Sequence, residues 1–398
     1  MKVLISGAGI AGPALAWWLD RYGFEPTIVE TAPQLRCGGY VIDFWGAGFD
    51  IAERMGLVPE LTRRGYRVRE VRVAAADGKP VVSFAADAFS RMTQGRFVSL
   101  PRGELAAAIY EPIQERVETL FGDSIQFIEE TGSGVEVAFR SGHSRSFDLV
   151  IGADGLHSQV RRLVFGNPSG ERGEFEKYLG YKAAAFEVPG YRPRDELVYV
   201  MYTEVGQQVA RFALRDDRTM FLFTFRDPDP GLPSTLPEQK ALLRGRFGQS
   251  GWECPQILDA LDGAGELYLD RVSQIHMEAR PGLWSQGRVT LLGDAAFCVS
   301  LLAGQGSALA MVAASILAAE LRDAAGDYTR AFARYQERFA PFVLKKQKAA
   351  LRFASFFAPP SRLALHLRNQ GMRLMRIPLL AEFLAGRDLA DRIALPES

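Results

Sequence analysis

The chain has 398 residues, a length that suits two domains or one large α/β unit. It carries 47 basic and 47 acidic side chains, and this balance gives no overall field that would attract nucleic acid or an anionic membrane. Its three cysteines (Cys37, Cys254 and Cys298) are too few for a disulfide framework and are not spaced as metal ligands. We therefore expect no metal site and a reduced, cytoplasmic setting.

The first predicted elements are a strand, a glycine turn, a helix and a second strand. The apolar run Lys2–Ser6 predicts a short buried strand, while Pro13–Tyr22 and Glu25–Glu30 predict a helix and a second strand. Three glycines in the turn argue against a secretory signal peptide, the alternative suggested by a lysine followed by an apolar run. The turn consists of Gly7, Ala8, Gly9, Ile10, Ala11 and Gly12.

This turn has the features of a pyrophosphate-binding site. Gly7 permits the tight turn, Gly9 lets backbone N–H groups approach phosphate oxygens, and Gly12 lets the helix pack closely on the strand. The helix N-terminus adds partial positive charge, and Glu30 can accept hydrogen bonds from a ribose. The unit predicts a dinucleotide site, but it does not distinguish NAD from FAD because both contain the ADP half.

A second strand, turn and helix are predicted at residues 148–161. Leu149–Ile151 predicts a buried strand, the turn after it contains Asp154, and Ser158 begins a helix that includes Arg161. An ordinary turn with aspartate as the turn former is the alternative interpretation. This motif alone does not decide between a ligand site and a plain turn.

The third pattern begins with the strand-like segment Arg288–Leu292 and continues into Asp294. A long uncharged stretch follows Asp294, so a membrane span is one interpretation. The polar and glycine residues at 304–307 (GQGS) favour instead a buried helix that Ser307 caps and that runs to about Leu321. Such a helix would begin after a glycine loop, where backbone N–H groups and the helix dipole can face an anion.

Together the three patterns resemble the fingerprints of the flavoprotein aromatic hydroxylases, the single-component class A FAD monooxygenases. The patterns are GxGxxG followed by Glu30, GADGxxSxVR at 152–161 and GDAA…GQG at 293–306, and their order and spacing match over roughly residues 1–345. Within that family, the segment 36–43 (RCGGYVID) is most similar to the tetracycline-inactivating monooxygenases and their actinobacterial relatives. A shared fold does not assign the substrate.

The resemblance implies bound FAD, NAD(P)H as a transient reductant, and a set of site residues. Glu30 would bind the adenosine ribose, and Arg102 would contact the ribityl and phosphate region of the flavin. Asp294 would hold the ribityl chain and the pyrophosphate, and Asp154 would contact FAD and the reducing pyridine nucleotide. The implied cofactor-binding residues are Gly7, Gly9, Ala11, Gly12, Glu30, Arg36, Asp43, Arg102, Asp154, Asp294, Gly304, Gly306 and Ser307.

Some of these assignments have plain structural alternatives. Arg102 could pair with Glu104 at the start of a helix, and Arg36 and Asp43 could form a solvated salt bridge within a loop. The 304–306 loop would bring the N-terminus of the next helix to the pyrimidine edge of the flavin, where negative charge accumulates on reduction.

Two residues depart from the family pattern. Phe297 stands where the family commonly has histidine, and Leu301 stands where it usually has proline. That proline normally lies near the reactive edge of the flavin, so Leu301 bears on the shape of the oxygen pocket.

Residues 177–271 change to strand patterns rich in aromatic and β-branched residues. In the family such a sheet covers the flavin and forms the substrate cavity. Tyr202, Arg211 and Phe223 are the candidates for substrate contact, although Phe223 shares a strand face with two other phenylalanines, a pattern that more often indicates core. The predicted strands are Tyr181–Val188, Leu197–Tyr202, Gln208–Leu214 and Met220–Phe225, with a hairpin of Val68–Ala75 and Val81–Phe84 that could join them.

The predicted fold class is α/β. It comprises a Rossmann-like FAD-binding domain with a parallel sheet flanked by helices, an inserted and mainly antiparallel β substrate domain, and a C-terminal helix. The assigned ranges are 1–72, 96–176 and 272–345 for the FAD-binding domain, 73–95 and 177–271 for the substrate domain, and 346–398 for the C-terminal segment.

The C-terminal part is predicted to be helical. A helix is expected from about Tyr328 to Leu351, and the basic, apolar-striped segment Arg362–Arg376 predicts a helix that lies along the two domains. A peripheral membrane helix is the alternative for Arg362–Arg376.

These patterns predict an FAD-dependent monooxygenase. It would use NAD(P)H and O2 to hydroxylate an aromatic, polyketide-like or other electron-rich small molecule through a flavin C4a-hydroperoxide. A flavin-dependent oxidase, cyclase or reductase on the same scaffold, and a non-enzymatic flavin-binding module, are the alternatives. The expected partners are a small-molecule substrate and O2, without nucleic acid or stable membrane insertion, in a monomer or weak homodimer.

Overall fold

The computed structural model describes residues 1–36, 40–86, 91, 93–166, 175–277, 283–374 and 393–396. The strands are β1 (Lys2–Ser6), β2 (Glu25–Glu30), β3 (Val41–Trp45), β4 (Glu70–Ala74), β5 (Pro80–Ala85), β6 (Phe97–Pro101), β7 (Glu118–Phe121), β8 (Ile125–Glu130), β9 (Val135–Phe139), β10 (Ser144–Phe147), β11 (Leu149–Gly152), β12 (Glu176–Pro189), β13 (Val198–Glu204), β14 (Gln207–Ala213), β15 (Arg218–Arg226), β16 (Tyr268–Ile275), β17 (Ser285–Gln286) and β18 (Val289–Leu291). The helices are α1 (Ala11–Arg21), α2 (Ala47–Arg54), α3 (Val58–Arg64), α4 (Arg102–Tyr110), α5 (Gln159–Phe165), α6 (Leu236–Phe247), α7 (Cys254–Asp262), α8 (Asp294–Phe297), α9 (Gly306–Asp323), α10 (Tyr328–Phe357) and α11 (Arg362–Leu374), with a 3-10 helix at Leu301–Ala303.

A six-stranded sheet lies at the centre of the first domain, in the order β17-β18-β11-β1-β2-β7. Every neighbouring pair is parallel except β17–β18. Val3, Leu4 and Ile5 of β1 are completely buried, and so are residues 149–151 of β11. Continuous apolar runs of this kind are typical of parallel strands that are covered on both faces. The predicted parallel sheet is confirmed, and β1 and β2 have the predicted bounds.

Helix α9 contains most of the uncharged stretch that follows Asp294. Its residues 309–321 are all buried, and it packs against α1, α2 and α10. The prediction of a buried core helix is therefore confirmed. Within the described ranges, no helix combines the length and the apolarity that crossing a lipid bilayer requires.

The predicted start of this helix was wrong. The helix begins at Gly306, so Ser307 lies inside its first turn and does not cap it. Gln305 occupies the N-cap position and its side chain makes no capping hydrogen bond. Ser307 therefore indicated roughly where the helix begins but is not its capping residue, because the preceding Gly306 is already part of the helix.

The second domain contains a seven-stranded sheet in the order β16-β12-β15-β14-β13-β4-β5. Only the β13–β4 pair is parallel, so the predicted mainly antiparallel sheet is confirmed. The hairpin β4–β5 joins this sheet through β13, as the sequence indicated. The assigned boundary at residue 271 falls inside β16, which continues to Ile275.

The two faces of the seven-stranded sheet have different neighbours. The outer face packs on α6 and α7, and the phenylalanines of β15, Phe221, Phe223 and Phe225, lie together in that core. The opposite, inner face is turned toward the first domain, where its residues pack against Leu302 at one end and Val41 at the other. The strand registers place on this inner face Tyr181, Ala183 and Ala185 of β12, Met220, Leu222 and Thr224 of β15, Gln208, Ala210 and Phe212 of β14, and Tyr199, Met201 and Thr203 of β13.

Several elements were not predicted from the sequence. The three-stranded antiparallel sheet β10-β9-β8 belongs to them, and so do α6 and α7. One signal was available for α6, because Thr235 and Glu238 form a capping box at its N-terminus.

The C-terminal helices connect the two domains. Helix α10 packs on α9 of the first domain, and at its end Phe357 and Ala358 pack with the inner face. Helix α11 packs on β5, with Met372 against Val73 and Val82. The predicted helix is confirmed for Arg362–Leu374, which packs on the second domain, and its predicted end at Arg376 lies outside the described residues. That it lies along both domains stays a prediction.

Candidate active site

The three sequence motifs meet at one edge of the six-stranded sheet. They follow β1, β11 and β18, which are neighbouring parallel strands whose carboxyl ends lie at the same edge. Backbone hydrogen bonds connect them, since Ala153 N donates to Ser6 O at 2.8 Å and Leu292 N donates to Gly152 O at 2.8 Å. The three turns therefore converge at one place in the structure.

The glycines of the first motif have the close neighbours that the sequence predicted. Gly7 has a φ of +107°, and a Cβ at this position would lie 2.6 Å from the carbonyl oxygen of Ala153. A Cβ at Gly12 would lie 2.0 Å from Gly7 O. A Cβ at Gly293 would lie 3.0 Å from the Cβ of Ala11, so the first motif touches the third as well as the second.

Gly9 faces open space below a guanidinium group. Among the described residues, and apart from its chain neighbours, only Arg102 Nη2 lies within 4 Å of the position that a Cβ at Gly9 would take, at 3.7 Å. Arg102 begins α4, and its backbone N–H donates to Tyr40 O at 3.0 Å. Glu104 pairs with Arg64 at 3.0 Å, so the alternative of an Arg102–Glu104 pair was wrong. The guanidinium instead borders the first glycine turn at Gly9, where it can contact a phosphate.

Asp294 lies between Arg102 and the start of α9. A Cβ at Gly306 would lie 3.6 Å from Asp294 Oδ1. Burial raises the pKa of Asp294, and the positive charge of Arg102 and a hydrogen bond with Cys298 offset part of that effect. The site therefore holds a desolvated carboxylate, which accepts hydrogen bonds, beside a cation and a helix N-terminus.

Glu30 lies beside the first glycine turn and is hydrogen-bonded to it. Its Oε2 accepts a hydrogen bond from Ala8 N at 2.8 Å, and its Oε1 accepts one from Ala32 N at 2.9 Å. Each carboxylate oxygen has a further lone pair that a ribose hydroxyl can use. Arg36 Nη2 lies 3.9 Å from Glu30 Oε1 and the Arg36 side chain is 75% exposed, which matches the alternative of a solvated salt bridge with Glu30 as the partner.

Asp154 is used within its own motif. Its Oδ2 accepts hydrogen bonds from Gln159 N at 2.7 Å and Val160 N at 3.1 Å, and the hydroxyl of Ser158 donates to its Oδ1. Burial raises the pKa of Asp154, and these hydrogen bonds offset part of the rise. The carboxylate holds the start of α5, and a contact with FAD or the pyridine nucleotide stays a prediction.

Arg161 was noted in the second motif but was not predicted as a site residue. It is 7% exposed, its Nη1 donates to Ala295 O at 2.8 Å, and its Nη2 donates to Leu156 O at 2.6 Å. The side chain thus joins the second motif to the third. The arginine of GADGxxSxVR was the available signal for this role.

Asp43 faces the space between the domains. It lies opposite Ser99 in the β3–β6 pair, and the Ser99 hydroxyl donates to its Oδ1 at 2.5 Å. Desolvation by the surrounding protein raises the pKa of Asp43, and the hydrogen bond from Ser99 lowers it. Burial, with the charge of Asp43 as a second cause, raises the pKa of Tyr199 on the inner face. Asp43 does not pair with Arg36, which makes its ion pair with Glu30.

The glycine loop lies between the motifs and the inner face. Gly304 has a φ of +65°, and in the described part of the chain no neighbouring atom lies within 4 Å of a Cβ at this position. Leu301 and Leu302 pack with Tyr181 and Ala183 of the inner face. The first N–H groups of α9, which have no acceptor within their own helix, follow directly from this loop.

Ser300 has a strained backbone at the start of this loop. Its φ is +112°, a region that non-glycine residues rarely adopt, and its side chain is 3% exposed. Its Oγ accepts a hydrogen bond from Leu302 N at 3.2 Å. Strain of this kind concentrates at functional sites, and nothing in the sequence indicated it.

The Phe297 position is part of the core of the first domain. Its ring centroid lies 4.9 Å from that of Trp284 and 5.1 Å from that of Phe339. The substitution of phenylalanine for the histidine common in the family therefore adds to an aromatic cluster.

Two tyrosines bring the second domain to the cofactor motifs. The ring centroids of Tyr40 and Tyr268 lie 5.7 Å apart, and Tyr268 belongs to β16. Burial raises the pKa of Tyr40 to about 12 and raises that of Tyr268 as well, while the charge of Arg102 opposes both shifts. No pattern in the sequence indicated Tyr268, because its approach to Tyr40 depends on how the domains pack.

The candidates for substrate contact, Tyr202, Arg211 and Phe223, all lie on the outer face of the sheet, which packs on α6 and α7. Arg211 is 3% exposed and pairs with Asp195 and Glu253, each at 2.7 Å. Phe223 is fully buried in the core with α6, and the hydroxyl of Tyr202 donates to Glu204. Side chains alternate between the faces of a strand, and the sequence did not show which face is turned to the first domain.

The centre of the inner face has small side chains. Ala183, Ala185 and Ala210 lie there, beside the half-buried side chains of Leu222 and Met201. Packing with the first domain occurs at the ends of this region, around Leu302 and Val41. This arrangement is suited to a flat apolar ligand between the two domains.

The residues at the sheet edge fit FAD. Gly9 leaves space for a pyrophosphate under Arg102, Glu30 is placed for a ribose, and Asp294 for a polyhydroxy chain. Helix α1 begins at Ala11, within the first motif, and α9 begins at Gly306, within the third. Their N-termini therefore supply positive dipole ends at this edge.

Comparisons with known proteins agree with this site. Residues 1–345 match the family described as FAD binding domain. A flavin-dependent monooxygenase of Legionella longbeachae is 34% identical over 359 residues, which is 87% of each chain. An uncharacterised protein of Mycobacterium tuberculosis is 38% identical over 358 residues, 87% of this chain and 91% of its own.

Solved structures show the same fold. Tetracycline destructase Tet(51) has a TM-score of 0.83 and 31% identity, over 100% of this chain and 99% of that one. Klebsiella pneumoniae HpxO complexed with FAD and uric acid has a TM-score of 0.78 over 97% of each chain, and at 24% identity it supports the fold alone. The chain belongs to the FAD-binding-domain family and is an FAD-dependent monooxygenase, an oxidoreductase of the kind that uses NAD(P)H.

Proposed function

We propose that this monooxygenase hydroxylates a planar, electron-rich small molecule held between the glycine loop and the inner face. The observation that carries the proposal is the position of the small inner-face residues, Ala185 and Ala210, between two zones of domain contact, around Leu302 and around Val41. Bound FAD supplies the redox chemistry, since it accepts electrons from NAD(P)H and activates O2.

The residues at the sheet edge bind and orient the cofactor in this proposal. Arg102 and the backbone at Gly9 bind the pyrophosphate, and Glu30 accepts hydrogen bonds from the adenosine ribose. Asp294 accepts hydrogen bonds from the ribityl hydroxyls beside Gly306, where the N-terminus of α9 stabilises negative charge.

The inner face and the loop exclude water from the reacting groups. Leu222, Leu301 and Leu302 line the region with apolar surface, and exclusion of water strengthens each polar interaction that remains. Ser99 orients Asp43, and the raised pKa of Asp43 lets it hold a proton at a higher pH than an aspartate of ordinary pKa does. Asp43 is placed to exchange a proton with a hydroxyl of a substrate in the interdomain space.

We propose a cytoplasmic monomer or weak homodimer as the working form. Both cysteines that the structure describes, Cys254 and Cys298, are buried free thiols, in keeping with a reducing compartment. The three motifs of one chain meet at one site, so a second copy is not required to complete it.

Oxygen labelling tests the proposed function. Tetracycline and urate are the first substrates to try, because Tet(51) is a tetracycline destructase and HpxO was solved with uric acid. We expect one of these or a related phenolic compound to accelerate NADPH oxidation and to gain one labelled oxygen atom from O2. Product without the label would support an oxidase, cyclase or reductase instead. Bound flavin whose reduction no substrate accelerates would support a binding module.

A further inference from the structure

Arg368 is a buried cation on the C-terminal helix. It is 8% exposed, its Nη2 donates to Gln208 Oε1 at 3.0 Å and lies 3.4 Å from Met201 Sδ, and its Nη1 donates to Asn369 Oδ1 at 3.1 Å. The guanidinium carbon lies 4.8 Å from the centroid of the Phe356 ring. All of these partners are neutral, so none of them balances the charge.

The charge of Arg368 has no acidic partner in the part of the chain that the structure describes. Its buried Nε also lacks a hydrogen-bond partner there. Burial alone lowers the pKa of Arg368 to about 10, without an opposing contribution from a carboxylate. Arg211, equally buried, shows the usual arrangement, because it pairs with Asp195 and Glu253. An unpaired buried charge is costly, so a ligand that supplied the counter-charge would gain from pairing with Arg368.

The guanidinium lies beside the proposed substrate position. Its partners Gln208 and Met201 both belong to the inner face, and Met201 is directly opposite Ala210 in the β13–β14 pair. Directly opposite residues of antiparallel strands have Cβ atoms about 4.5–5.5 Å apart. Met201 therefore contacts Arg368 and is the cross-strand neighbour of Ala210, one of the small side chains at the centre of the inner face. The thioether of Met201 is a weak acceptor that a ligand oxygen can replace.

We propose that Arg368 binds an anionic group of the substrate, a carboxylate or an ionised enol or phenol, and thereby makes the enzyme selective for anionic substrates. A guanidinium can donate two parallel hydrogen bonds to such a group, and the surrounding burial strengthens them. The inference rests on the proposed function, because it uses the substrate position between the domains. It adds the charge class of the substrate.

Binding measurements with matched probes test this inference. The probes are 2,4-dihydroxybenzoate, its neutral amide, and 4-nitrocatechol. Their affinities are measured from the change in flavin absorption of the FAD-loaded protein and from the thermal shift of the FAD-free protein. At about pH 7.5 the benzoate is ionised at its carboxyl group and serves as the carboxylate arm, while 4-nitrocatechol serves as the ionised phenol arm. We expect the wild-type protein to bind at least one of the two charged probes more tightly than the amide.

The variants are Arg368→Met and Arg368→Lys, with Arg373→Met as the matched control on the exposed side of the same helix. Arg368→Met is expected to weaken binding of the charged probe about tenfold or more and to change binding of the amide by less than about twofold. Arg368→Lys should keep part of the preference, and Arg373→Met all of it. Binding of neither charged probe more tightly than the amide by the wild-type protein, or an unchanged preference in Arg368→Met, would overturn the inference.

Thermal unfolding separates recognition from a purely structural role. Removal of an uncompensated buried charge should leave the Tm of Arg368→Met equal to or above that of the wild-type protein. A fall of more than about 4 °C would mean that the guanidinium mainly holds α11 to the sheet, and would overturn the inference. Arg368-dependent anion binding without labelled oxygen in any product would leave this inference standing and refute the proposed function.

Discussion

Arg161 Nη1 donates a hydrogen bond to the carbonyl oxygen of Ala295 at 2.8 Å, and this contact ties the second glycine motif to the third. Gly7 lies against Ala153 and Gly293 lies against Ala11, so the first motif is in contact with both of the others. The cofactor site is therefore one connected unit made from the ends of three neighbouring strands.

Replacement of Arg161 by methionine should loosen this unit. The change leaves the carbonyl oxygens of Ala295 and Leu156 without their donor, and each unsatisfied buried group costs about 1–3 kcal/mol. We expect a loss of at least about 2 kcal/mol in the free energy of unfolding, measured by urea titration. The exposed neighbour Arg162→Met is the control, and equal losses in both variants would show that the bridge contributes nothing specific.

Replacement of Asp294 by asparagine should have opposite effects on two quantities, the stability of the FAD-free protein above the folded-state pKa and its affinity for FAD. Burial raises the pKa of this carboxyl above its usual 3.8, with Arg102 opposing, so its ionisation destabilises the FAD-free fold. Below about pH 3.8 the carboxyl is neutral in both states, and the stability lost on ionisation grows as the pH rises through the folded-state pKa. The uncharged asparagine variant escapes that loss.

Urea titrations of the FAD-free proteins at about pH 4 and pH 8 measure this difference. We expect the variant to gain on the wild-type protein between the lower and the higher pH, while its affinity for FAD falls. A stability difference that does not vary with pH would contradict the assigned desolvation of Asp294.

Two substitutions at Ser300 measure the strain in the glycine loop. Glycine tolerates the observed φ of +112°, whereas alanine keeps the strain that costs about 1–3 kcal/mol, and both lose the hydroxyl that accepts from Leu302 N. Ser300→Gly should therefore be more stable than Ser300→Ala by about 1 kcal/mol or more in chemical denaturation. At an unstrained position the order is normally the reverse, so an alanine variant that is the more stable would refute the strain.

Replacement of Arg102 by methionine tests the phosphate contact. Loss of a charge-assisted hydrogen bond should raise the dissociation constant for FAD about tenfold or more, as measured by fluorescence quenching of added FAD. Glu104→Gln is the matched control, because Glu104 pairs with Arg64 and not with Arg102. If the control weakens FAD binding as much as Arg102→Met does, Arg102 has no direct role in the site.

The sequence predicted the parts of the site that depend on local chain geometry. Gly7 and Gly12 need close backbone contacts, and a strand, turn and helix around them are visible in the residue pattern. Strand order was also predictable in outline, because the motifs of one dinucleotide site must follow neighbouring strands. Asp294 beside Arg102 is a consequence of that convergence.

The remaining features depend on tertiary packing that a single sequence does not specify. A polar or aromatic side chain on a strand suggests a site, but Arg211 and Phe223 lie on the face that packs on α6 and α7. The pairing of Tyr40 with Tyr268 and the burial of Arg368 require the packing of separate chain segments. The alternation of side chains predicts two faces and does not say which of them meets the cofactor.

The most direct test of the central claim is titration of the purified, FAD-free protein with FAD, followed by the visible absorption spectrum of the complex. The three converging motifs predict saturable binding of about one FAD per chain and a flavin spectrum perturbed by the protein, with a weaker affinity in Arg102→Met. A wild-type protein that remains colourless and binds no added FAD would contradict the claim.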